Sequence, residues 1–460
     1  MDPARLAALD LLRAVDLDGA YANIIWPRIL AHHDLSGRDA GFATELGYGC
    51  LRWRGRHDVI LAECVDRPLD SLQPELLNGL RLGVHQLHNM RVGDHAAVGE
   101  TVELVRQAVN TGAGGFANAV LRRVARGGTA EDWLAHLQER GVIPDVEADP
   151  VGHLAATTSH PAWIVSAVHD ALAASLPGRT WADTRAELMA DNTAGSVTLV
   201  ARTLDRAELR DVMATHGVPS RPGQLSRLAL RVDAVNPASL PEVATGAAGV
   251  QDEGSQVVAL TLADAQLEGG DARWLDMCAG PGGKAAVLAG QVAPRGGSLT
   301  AVELHPHRAE LVRASLRPIQ GRHEVIVADA VTQDIGSGYD RVLLDAPCTG
   351  LGALRRRPES RWRRSVEDLA ALTDLQRRLL ARALEVVRPG GLVLYATCSP
   401  HLAETEAVVA AASRLGGEVI PMGERPELAL PAASVAGPYL RLWPGMHDTD
   451  GMFAALIQRR

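Results

Sequence analysis

Two cysteines stand where a thiol could take part in catalysis. Cys348 follows the run LLDAP and Cys398 follows YAT, so each lies just beyond the carboxyl end of a predicted strand. A lone cysteine is usually a small buried hydrophobic residue, which is how we interpret Cys50 and Cys64. A thiolate at a strand end can instead act as a nucleophile. A disulfide is disfavoured, because five widely spaced cysteines form no disulfide framework and indicate a reducing compartment.

A glycine-rich loop, DMCAGPGGKAA (276–286), follows a predicted strand and opens a predicted helix. Its glycines let the backbone approach a ligand closely, and the helix start offers unpaired N–H groups. It is not a P-loop, because Cys278 replaces the first glycine and Ala285 follows Lys284. A tight strand-to-helix turn, a dinucleotide site with a loose GxGxxA pattern and an S-adenosylmethionine site all stay open at this point.

Carboxylates occur at the ends of three consecutive predicted strands, at Asp276, Glu303 and Asp329. Each one alone could be a helix cap. Because the carboxyl ends of parallel strands share one edge of a sheet, we expect all three to line one rim, where such folds bind ligands. Glu303 is then placed to hold two ribose hydroxyls, and Asp329 to reach an adenine edge.

Two thiols and a carboxylate beside a methyl donor suit the methylation of a pyrimidine. Carbon 5 of the ring is too weak a nucleophile to take a methyl group unaided. A thiolate that adds to carbon 6 makes carbon 5 reactive, and a base must then remove the carbon-5 proton before the thiol can leave. Asp345, three residues before Cys348, could bond the ring at nitrogen 3 and favour the addition.

These residues need a parallel sheet to bring them together. In residues 250–460 the apolar runs RWLDM, SLTAVEL, EVIVAD, DRVLLDA and GLVLYAT alternate with helical segments, which predicts a mostly parallel, doubly wound sheet. The last two runs, PYLRLWPG and GMFAALIQ, have no helix between them and predict an antiparallel pair that closes the sheet edge. Earlier segments are helical up to about residue 126 and mixed over 180–245. We therefore predict a helical domain (1–140), a linker with short helices (141–178), a small α+β module (179–248) and the sheet domain (249–460).

Composition excludes several classes of protein. A net charge of −9 argues against indiscriminate coating of nucleic acid, and 3% aromatic residues argue against a row of base-stacking platforms. There is no run of about 18 apolar residues and no signal peptide, so we expect a cytoplasmic protein without a membrane partner. No cysteine–histidine cluster offers a metal site. The 46 basic residues include a single lysine, Lys284, inside the glycine loop.

The motifs DMCAGPGGK, DAPCTGLGALRRRPESRWRR and ATCSP resemble those of the Nop/Sun-type RNA 5-methylcytosine methyltransferases. The helical front end resembles a NusB-like RNA-binding domain, and this fusion is the layout of the bacterial small-subunit (16S) rRNA cytosine-C5 methyltransferase B subgroup. The resemblance is specific in residues 250–460 and architectural before about residue 130. It implies an α/β fold, with a doubly wound Rossmann-like methyltransferase sheet preceded by an all-helical NusB-like domain and a small α+β module.

The resemblance also implies an activity and its residues. Methyl transfer would run from S-adenosylmethionine to carbon 5 of a cytosine in RNA, with 16S rRNA or a small-subunit assembly intermediate as partner and a monomer as the enzyme. Cys398 would be the nucleophile, Cys348 would promote product release, and Asp345 would assist. Cofactor contacts would come from Cys278, Ala279, Gly280, Pro281, Gly282, Gly283, Lys284, Glu303, Asp329 and Asp345. Ala285 and Glu303 depart from the family pattern, which often has a hydroxyl residue and an aspartate there.

A basic segment, ALRRRPESRWRR (353–364), follows Cys348 closely. An isolated run of this kind is usually a solvated loop, but arginine forks match phosphates and a tryptophan can stack on a base. Beside a catalytic loop, the segment is predicted to grip the RNA backbone and to deliver a flipped cytosine. The residues assigned to RNA binding are Arg355, Arg356, Arg357, Arg361, Trp362, Arg363 and Arg364.

Three other functions stay open from the sequence. A tRNA 5-methylcytosine methyltransferase would have the same chemistry, and only the NusB-like front end favours rRNA. A non-catalytic NusB-like RNA-binding or antitermination factor is disfavoured, because both thiols and the glycine loop are intact. A nucleotide-dependent oxidoreductase is allowed by the loose GxGxxA pattern alone. His305, His307, His447 and Asp450 receive no role.

Overall fold

The computed structural model describes residues 2–233 and 235–460. These residues form two compact units. The helical unit contains residues 2–169, 180–193 and 354–363, and the sheet unit contains residues 170–179, 194–233, 235–353 and 364–460. The bounds of these units do not follow the four predicted domains, whose limits stay a prediction.

The helices are, in chain order, α1 (Pro3–Asp16), α2 (Ala22–His32), α3 (Gly37–Cys64), α4 (Pro74–Asn89), α5 (Asp94–Ala108), α6 (Thr111–Arg126), α7 (Ala130–Glu139), α8 (Pro150–Thr158), α9 (Ala162–Ser175), α10 (Trp181–Asp191), α11 (Arg206–Thr215), α12 (Pro241–Thr245), α13 (Glu253–Asp264), α14 (Gly283–Val292), α15 (Pro306–Leu316), α16 (Ser360–Arg363), α17 (Glu367–Val386), α18 (Glu406–Val409) and α19 (Pro444–His447). The strands are β1 (Val197–Ala201), β2 (Ser220–Pro222), β3 (Ala229–Val232), β4 (Ala248–Val250), β5 (Arg273–Asp276), β6 (Ser298–Glu303), β7 (Arg322–Val327), β8 (Tyr339–Asp345), β9 (Val387–Thr397), β10 (Gly417–Ile420), β11 (Val435–Ala436), β12 (Tyr439–Leu442) and β13 (Met452–Arg459).

The helical unit has the local signals that its sequence predicts. Helix α1 begins at a proline, and the Asp2 side chain accepts a hydrogen bond from the N–H of Ala4 at 2.9 Å. Helix α7 begins with a capping box formed by Thr129 and Asp132. The apolar stripes of α1 to α3 bury residues such as Leu11, and those of α3 to α6 bury residues such as Leu80 in a second cluster. The predicted helical front end is therefore confirmed.

A small antiparallel sheet lies in the sheet unit, with strand order β2-β3-β1-β4. Its strands β1 and β3 come from the predicted runs SVTLVART and LALRVD, and helix α11 comes from RAELRDVMATHG. Strand β1 pairs with both β3 and β4. The strand and helix pattern of this segment therefore agrees with the sequence.

The large sheet is the doubly wound one that the sequence predicts. Among the described residues its strand order is β11-β12-β13-β9-β8-β5-β6-β7, and β10 also pairs with β13. Strands β7, β6, β5, β8 and β9 are mutually parallel, whereas β13 runs antiparallel to both β9 and β12. The predicted antiparallel pair of β12 and β13 is confirmed. The expectation that no helix separates these strands is wrong, because the short helix α19 lies between them. The strand order reverses between β5 and β8, and a crevice at such a switch point is where these folds bind ligands.

Candidate active site

The structure brings the two cysteines of the strand ends together. Strands β8 and β9 are parallel neighbours, so the loops that follow them lie side by side. The Cys348 and Cys398 sulfur atoms are 3.5 Å apart, and both side chains are partly buried. Cys50 and Cys64 are buried in the helical unit, as expected for structural residues.

Charged and titratable groups surround the two thiols and affect their ionisation. The contact with Cys398, burial, and the charges of Cys398, Glu404 and Asp345 raise the pKa of Cys348 well above its ordinary value. Ionisation of Cys348 is therefore disfavoured while Cys398, Glu404 and Asp345 surround it. A negative charge on Cys398 in turn helps to raise the pKa of Lys284, so the Lys284 ammonium attracts a thiolate at Cys398.

The one lysine of the chain lies at this site. Its Nζ atom donates a hydrogen bond to Oδ2 of Asp345, at 2.9 Å, and both side chains are largely buried. Burial opposes the charge, but the Asp345 carboxylate outweighs this effect and raises the pKa of Lys284 above its ordinary value. The ion pair therefore keeps an ammonium and a carboxylate side by side at the carboxyl ends of β5 and β8.

Asp276 ends β5 beneath this ion pair. Burial, and then repulsion by Asp345, raises the pKa of Asp276 to about 7. Its Oδ1 accepts a hydrogen bond from the N–H of Cys278 at 3.4 Å, whereas Oδ2 is buried and has no hydrogen-bond partner among the described residues. A buried acceptor of this kind is costly unless a ligand or a water molecule supplies a donor.

The glycine loop folds tightly against the end of β6. The Glu303 carboxylate accepts hydrogen bonds from the N–H groups of Gly280, at 3.1 Å, and His305, at 3.0 Å. A Cβ atom on Gly280 would lie 2.1 Å from Oε2 of Glu303. Gly282 has a φ of 110°, in the left-handed region that glycine tolerates, and α14 begins immediately after it. The loop therefore has to be built of glycine, and it directs the first N–H groups of α14 toward the switch point.

Comparison with known proteins identifies the family. Residues 262–458 match the family described as 16S rRNA methyltransferase RsmB/F. The chain is also 34% identical over 423 residues to ribosomal RNA small subunit methyltransferase B of Pseudomonas putida, which covers 89% of this chain and 88% of that protein. The chain belongs to the RsmB/F family. It is an RNA methyltransferase, and the resemblance inferred from its motifs is confirmed.

Other relatives extend this result over the whole length. Residues 2–126 match the NusB family. A Mycobacterium tuberculosis protein named as a methyltransferase, Rv1407, is 45% identical over 462 residues and covers 100% of this chain and 97% of its own. The crystal structure of PH0851 shares the fold with a TM-score of 0.79 at 20% identity, covering 100% of this chain and 99% of that one. No helix in the described part of this RsmB/F-family chain is long and apolar enough to cross a membrane.

Asp329 occupies the rim position of β7 but already has local partners. Its carboxylate accepts hydrogen bonds from the N–H of Val331 and from Oγ1 of Thr332, both at 2.9 Å. These bonds lower the pKa of Asp329 below its ordinary value. The side chain therefore closes a turn, and an adenine contact from this residue of the RsmB/F-family chain stays a prediction.

The basic segment was predicted to be an exposed RNA-binding surface, but part of it is buried in the helical unit. Residues 354–363 belong to the helical unit, and Arg355 and Arg361 are buried there. Arg361 donates hydrogen bonds to the carbonyls of Arg52, at 3.1 Å, and Ser159, at 3.0 Å, and to Oδ1 of Asn192, at 2.8 Å. A phosphate cannot reach a guanidinium that has no exposed surface, so the predicted RNA contact of Arg361 is corrected: in this structure Arg361 anchors the segment.

The neighbours of Arg361 divide into two groups. Trp362 packs against Gly55, where a Cβ atom would lie 2.6 Å from its ring, and Arg363 donates to the carbonyls of Val15 and Ala20. Arg357 is exposed and Arg356 and Arg364 are partly exposed. The second group, Arg356, Arg357 and Arg364, is the part of the predicted RNA-binding set that a nucleic acid can reach in this conformation.

Glu404 is a buried acidic residue whose position beside the cysteines was not predicted from the sequence. Glu404 has no exposed surface, and its carboxylate contacts the residues that follow both cysteines, Thr349 and Ser399. Gln376, on α17, donates to the same carboxylate at 3.2 Å. The only sequence signal was a glutamate six residues after Cys398 in the segment HLAETEAVV, which reads as an ordinary helix start.

Proposed function

We propose that this RNA methyltransferase transfers a methyl group from S-adenosylmethionine to carbon 5 of a cytosine in 16S rRNA, through a covalent bond between Cys398 and the base. The observation that carries the proposal is the pair of sulfur atoms 3.5 Å apart, beside the Lys284–Asp345 ion pair. One thiol supplies a nucleophile and the other a proton acceptor within reach of the same ring. The relatives named as small subunit methyltransferases and the NusB-family front end support rRNA as the substrate.

The residues at the switch point fit S-adenosylmethionine, which supplies an electrophilic methyl group on a positively charged sulfur. The carboxylates of Glu303 and Asp345 lie in this region and suit such a cation, although Lys284 offsets the charge of Asp345. The buried, unpartnered Oδ2 of Asp276 offers an acceptor for an amino group. We assign the binding of the cofactor to residues 278–284 together with Glu303, Asp329 and Asp345.

The charges around the thiols support an order for the steps of the reaction, beginning with the addition of Cys398 to the base. Lys284 stabilises the thiolate of Cys398, which forms a bond to carbon 6 and leaves the electron pair of the former double bond available at carbon 5. The addition raises the electron density at nitrogen 3. A proton that passes from the Lys284 ammonium to Asp345 can be shared with that nitrogen, and it returns to Lys284 when Cys398 leaves.

Cys348 completes the reaction in this proposal. In the free enzyme, the contact with Cys398 is the largest cause that raises the pKa of Cys348. Once the Cys398 sulfur is bonded to carbon, it carries no negative charge, so Cys348 can ionise more easily. Its thiolate then takes the proton from carbon 5, the ring double bond forms again, and Cys398 leaves as a thiolate.

Of the three other functions that the sequence left open, one remains. Membership of an RNA methyltransferase family excludes the oxidoreductase and the non-catalytic factor as the main function. A tRNA substrate would use the same residues, and it is an outcome of the experiment below. The monomeric state and the cytoplasmic location stay predictions.

The experiment combines the full-length protein, S-adenosylmethionine and an unmodified RNA, either a 16S rRNA transcript or bulk tRNA. We expect methylation of 16S rRNA at one cytosine, mapped by bisulfite sequencing. The Cys348→Ala variant should accumulate an RNA adduct that resists denaturation, and Cys398→Ala should give neither adduct nor methylation. Cys50→Ala, in the helical unit, is the matched control. Methylation by Cys398→Ala would overturn the mechanism, and methylation of tRNA alone would overturn the substrate.

A further inference from the structure

Glu404 is a buried carboxylate that the reaction above does not use. The residue lies two positions before the start of α18 and has no exposed surface. Oε1 accepts hydrogen bonds from the N–H of Thr349, at 2.8 Å, and from Nε2 of Gln376, at 3.2 Å. Oε2 accepts from the hydroxyl groups of Thr349, at 2.5 Å, and Ser399, at 2.6 Å. Four donors thus converge on one carboxylate, and such charge-assisted bonds are stronger than neutral ones.

The partners of Glu404 show what it holds. Thr349 directly follows Cys348, and Ser399 directly follows Cys398. The hydroxyl groups of Thr349 and Ser399 are also 3.1 Å apart. A single side chain therefore ties together the two loops that carry the sulfur atoms, at the residue next to each sulfur.

The carboxylate also acts on Cys348 through its charge. The groups that face the Cys348 thiol with a charge or a titratable proton are Cys398, Glu404, Asp345 and Tyr395. Glu404 and Asp345 are negative, and both disfavour a second negative charge at Cys348. Lys284 is bonded to Asp345, so its positive charge offsets the charge of that residue.

We propose that Glu404 is a positioning residue for the two-thiol reaction, holding the Cys348 and Cys398 loops at a spacing that one base can bridge and keeping the proton on Cys348 until the adduct has formed. This inference rests on the proposed function for its role in catalysis. Its two physical parts, spacing and charge, can be measured without RNA.

Two substitutions separate these parts. Glu404→Gln removes the charge but retains the length of the side chain, and its amide can donate to the Thr349 and Ser399 hydroxyls while its oxygen accepts from the other two donors. Glu404→Asp retains the charge but is one methylene shorter, so it cannot reach both loops together. Glu406→Gln is the matched control, because Glu406 pairs with Arg441 at 2.8 Å and contacts neither loop.

The first measurement is the pH-dependent alkylation of Cys348 by iodoacetamide in the full-length protein, read by peptide mass spectrometry. The second is the affinity for phenylarsine oxide, which has to bridge two sulfurs. In Glu404→Gln we expect Cys348 alkylation at pH 8 to be roughly 3- to 10-fold faster, since the thiolate is the reactive form, with arsenical affinity retained. In Glu404→Asp we expect weakened arsenical binding and alkylation close to that of the native protein.

Methylation of the 16S rRNA transcript is the third measurement. Both Glu404 variants should lower kcat and leave the KM for RNA at its native value, whereas Glu406→Gln should change neither. Native alkylation and native arsenical binding in both Glu404 variants would overturn the inference. If alkylation and bridging change as expected but the native protein methylates no cytosine, the positions of the thiols are explained and the proposed function is the part that fails.

Discussion

The N–H of Gly451 donates a hydrogen bond to the carbonyl of Gly352 at 2.7 Å, just before β13 begins. The N–H of Gly352 in turn donates to the carbonyl of Cys398 at 2.9 Å. Two backbone bonds thus connect the turn before the last strand, the loop after Cys348 and the backbone of Cys398. The last turn of the chain therefore helps to position a residue that we assign to catalysis.

This relationship predicts a severe effect of Gly352→Ala. An added Cβ atom would lie 1.9 Å from the Gly451 carbonyl oxygen, which is backbone and cannot rotate away. We expect a loss of about 1–3 kcal/mol of unfolding free energy and a fall in Cys398 adduct formation, measured by chemical denaturation and by the gel assay for RNA adducts. Gly350→Ala gives the contrast: its Cβ meets nothing within 4 Å, although its φ of 76° adds some strain. Equal stability of the Gly352→Ala and native proteins would contradict the prediction.

Lys284→Arg should impair cofactor binding although it keeps the charge. The ammonium occupies a largely buried place beside Asp345 and above Asp276, and a planar guanidinium fork needs more room. Titration calorimetry with S-adenosylmethionine should show weaker binding in Lys284→Arg. Arg313→Lys, at a partly exposed residue that pairs with Glu310, should bind like the native protein. Native affinity in Lys284→Arg would show that the identity of the cation is unimportant.

Asp276 should make stability depend on pH. Its ordinary pKa is 3.8, and burial and Asp345 raise the pKa of the folded protein to about 7. Between these values the folded state holds a proton that the unfolded state has lost, so Asp276 lowers stability as pH rises through this window. Asp276→Asn cannot ionise, and its Oδ1 can still accept from Cys278. We therefore expect Tm to fall less between pH 4 and pH 7 in Asp276→Asn than in the native protein. Parallel Tm curves for the two proteins would refute this.

Arg361 and Arg357 should behave in opposite ways. Arg361→Ala leaves two carbonyls and the Asn192 amide without their donor inside the helical unit, so thermal unfolding should show a loss of roughly 1–3 kcal/mol. Arg357→Ala, at an exposed position, should leave Tm unchanged, weaken RNA binding and reduce its salt dependence by about one phosphate contact. If Arg357→Ala binds RNA like the native protein at several salt concentrations, the exposed arginines are not part of the RNA contact.

The regular alternation of strands and helices could be predicted from the sequence. The doubly wound sheet follows from strands that alternate with helices, and the meeting of Cys348 and Cys398 follows once their strands are neighbours. Asp276 and Glu303 also lie on one rim, because the carboxyl ends of parallel strands share one edge of the sheet.

The remaining features depend on contacts between distant residues. The carbonyl groups that bind Arg361 belong to main chain at residues 52 and 159, and any sequence would offer such groups. Glu404 is important only because the hydroxyl groups of Thr349 and Ser399 turn toward it. A charged residue in a short segment is normally predicted to be exposed. For this reason Arg361 was predicted to bind RNA and Glu404 was given no role, although both are buried among hydrogen-bond partners.

Residues 354–363 belong to the helical unit, although the chain on either side of them belongs to the sheet unit. No single cut of the polypeptide can therefore separate the two units cleanly. A fragment that begins at residue 249 would retain this stretch without Arg52, Ser159 and Asn192, so the Arg361 guanidinium would lose its acceptors. The front end, expressed alone, would lack α16. Each half of the coding sequence therefore encodes residues that the other half needs in order to fold as it does here.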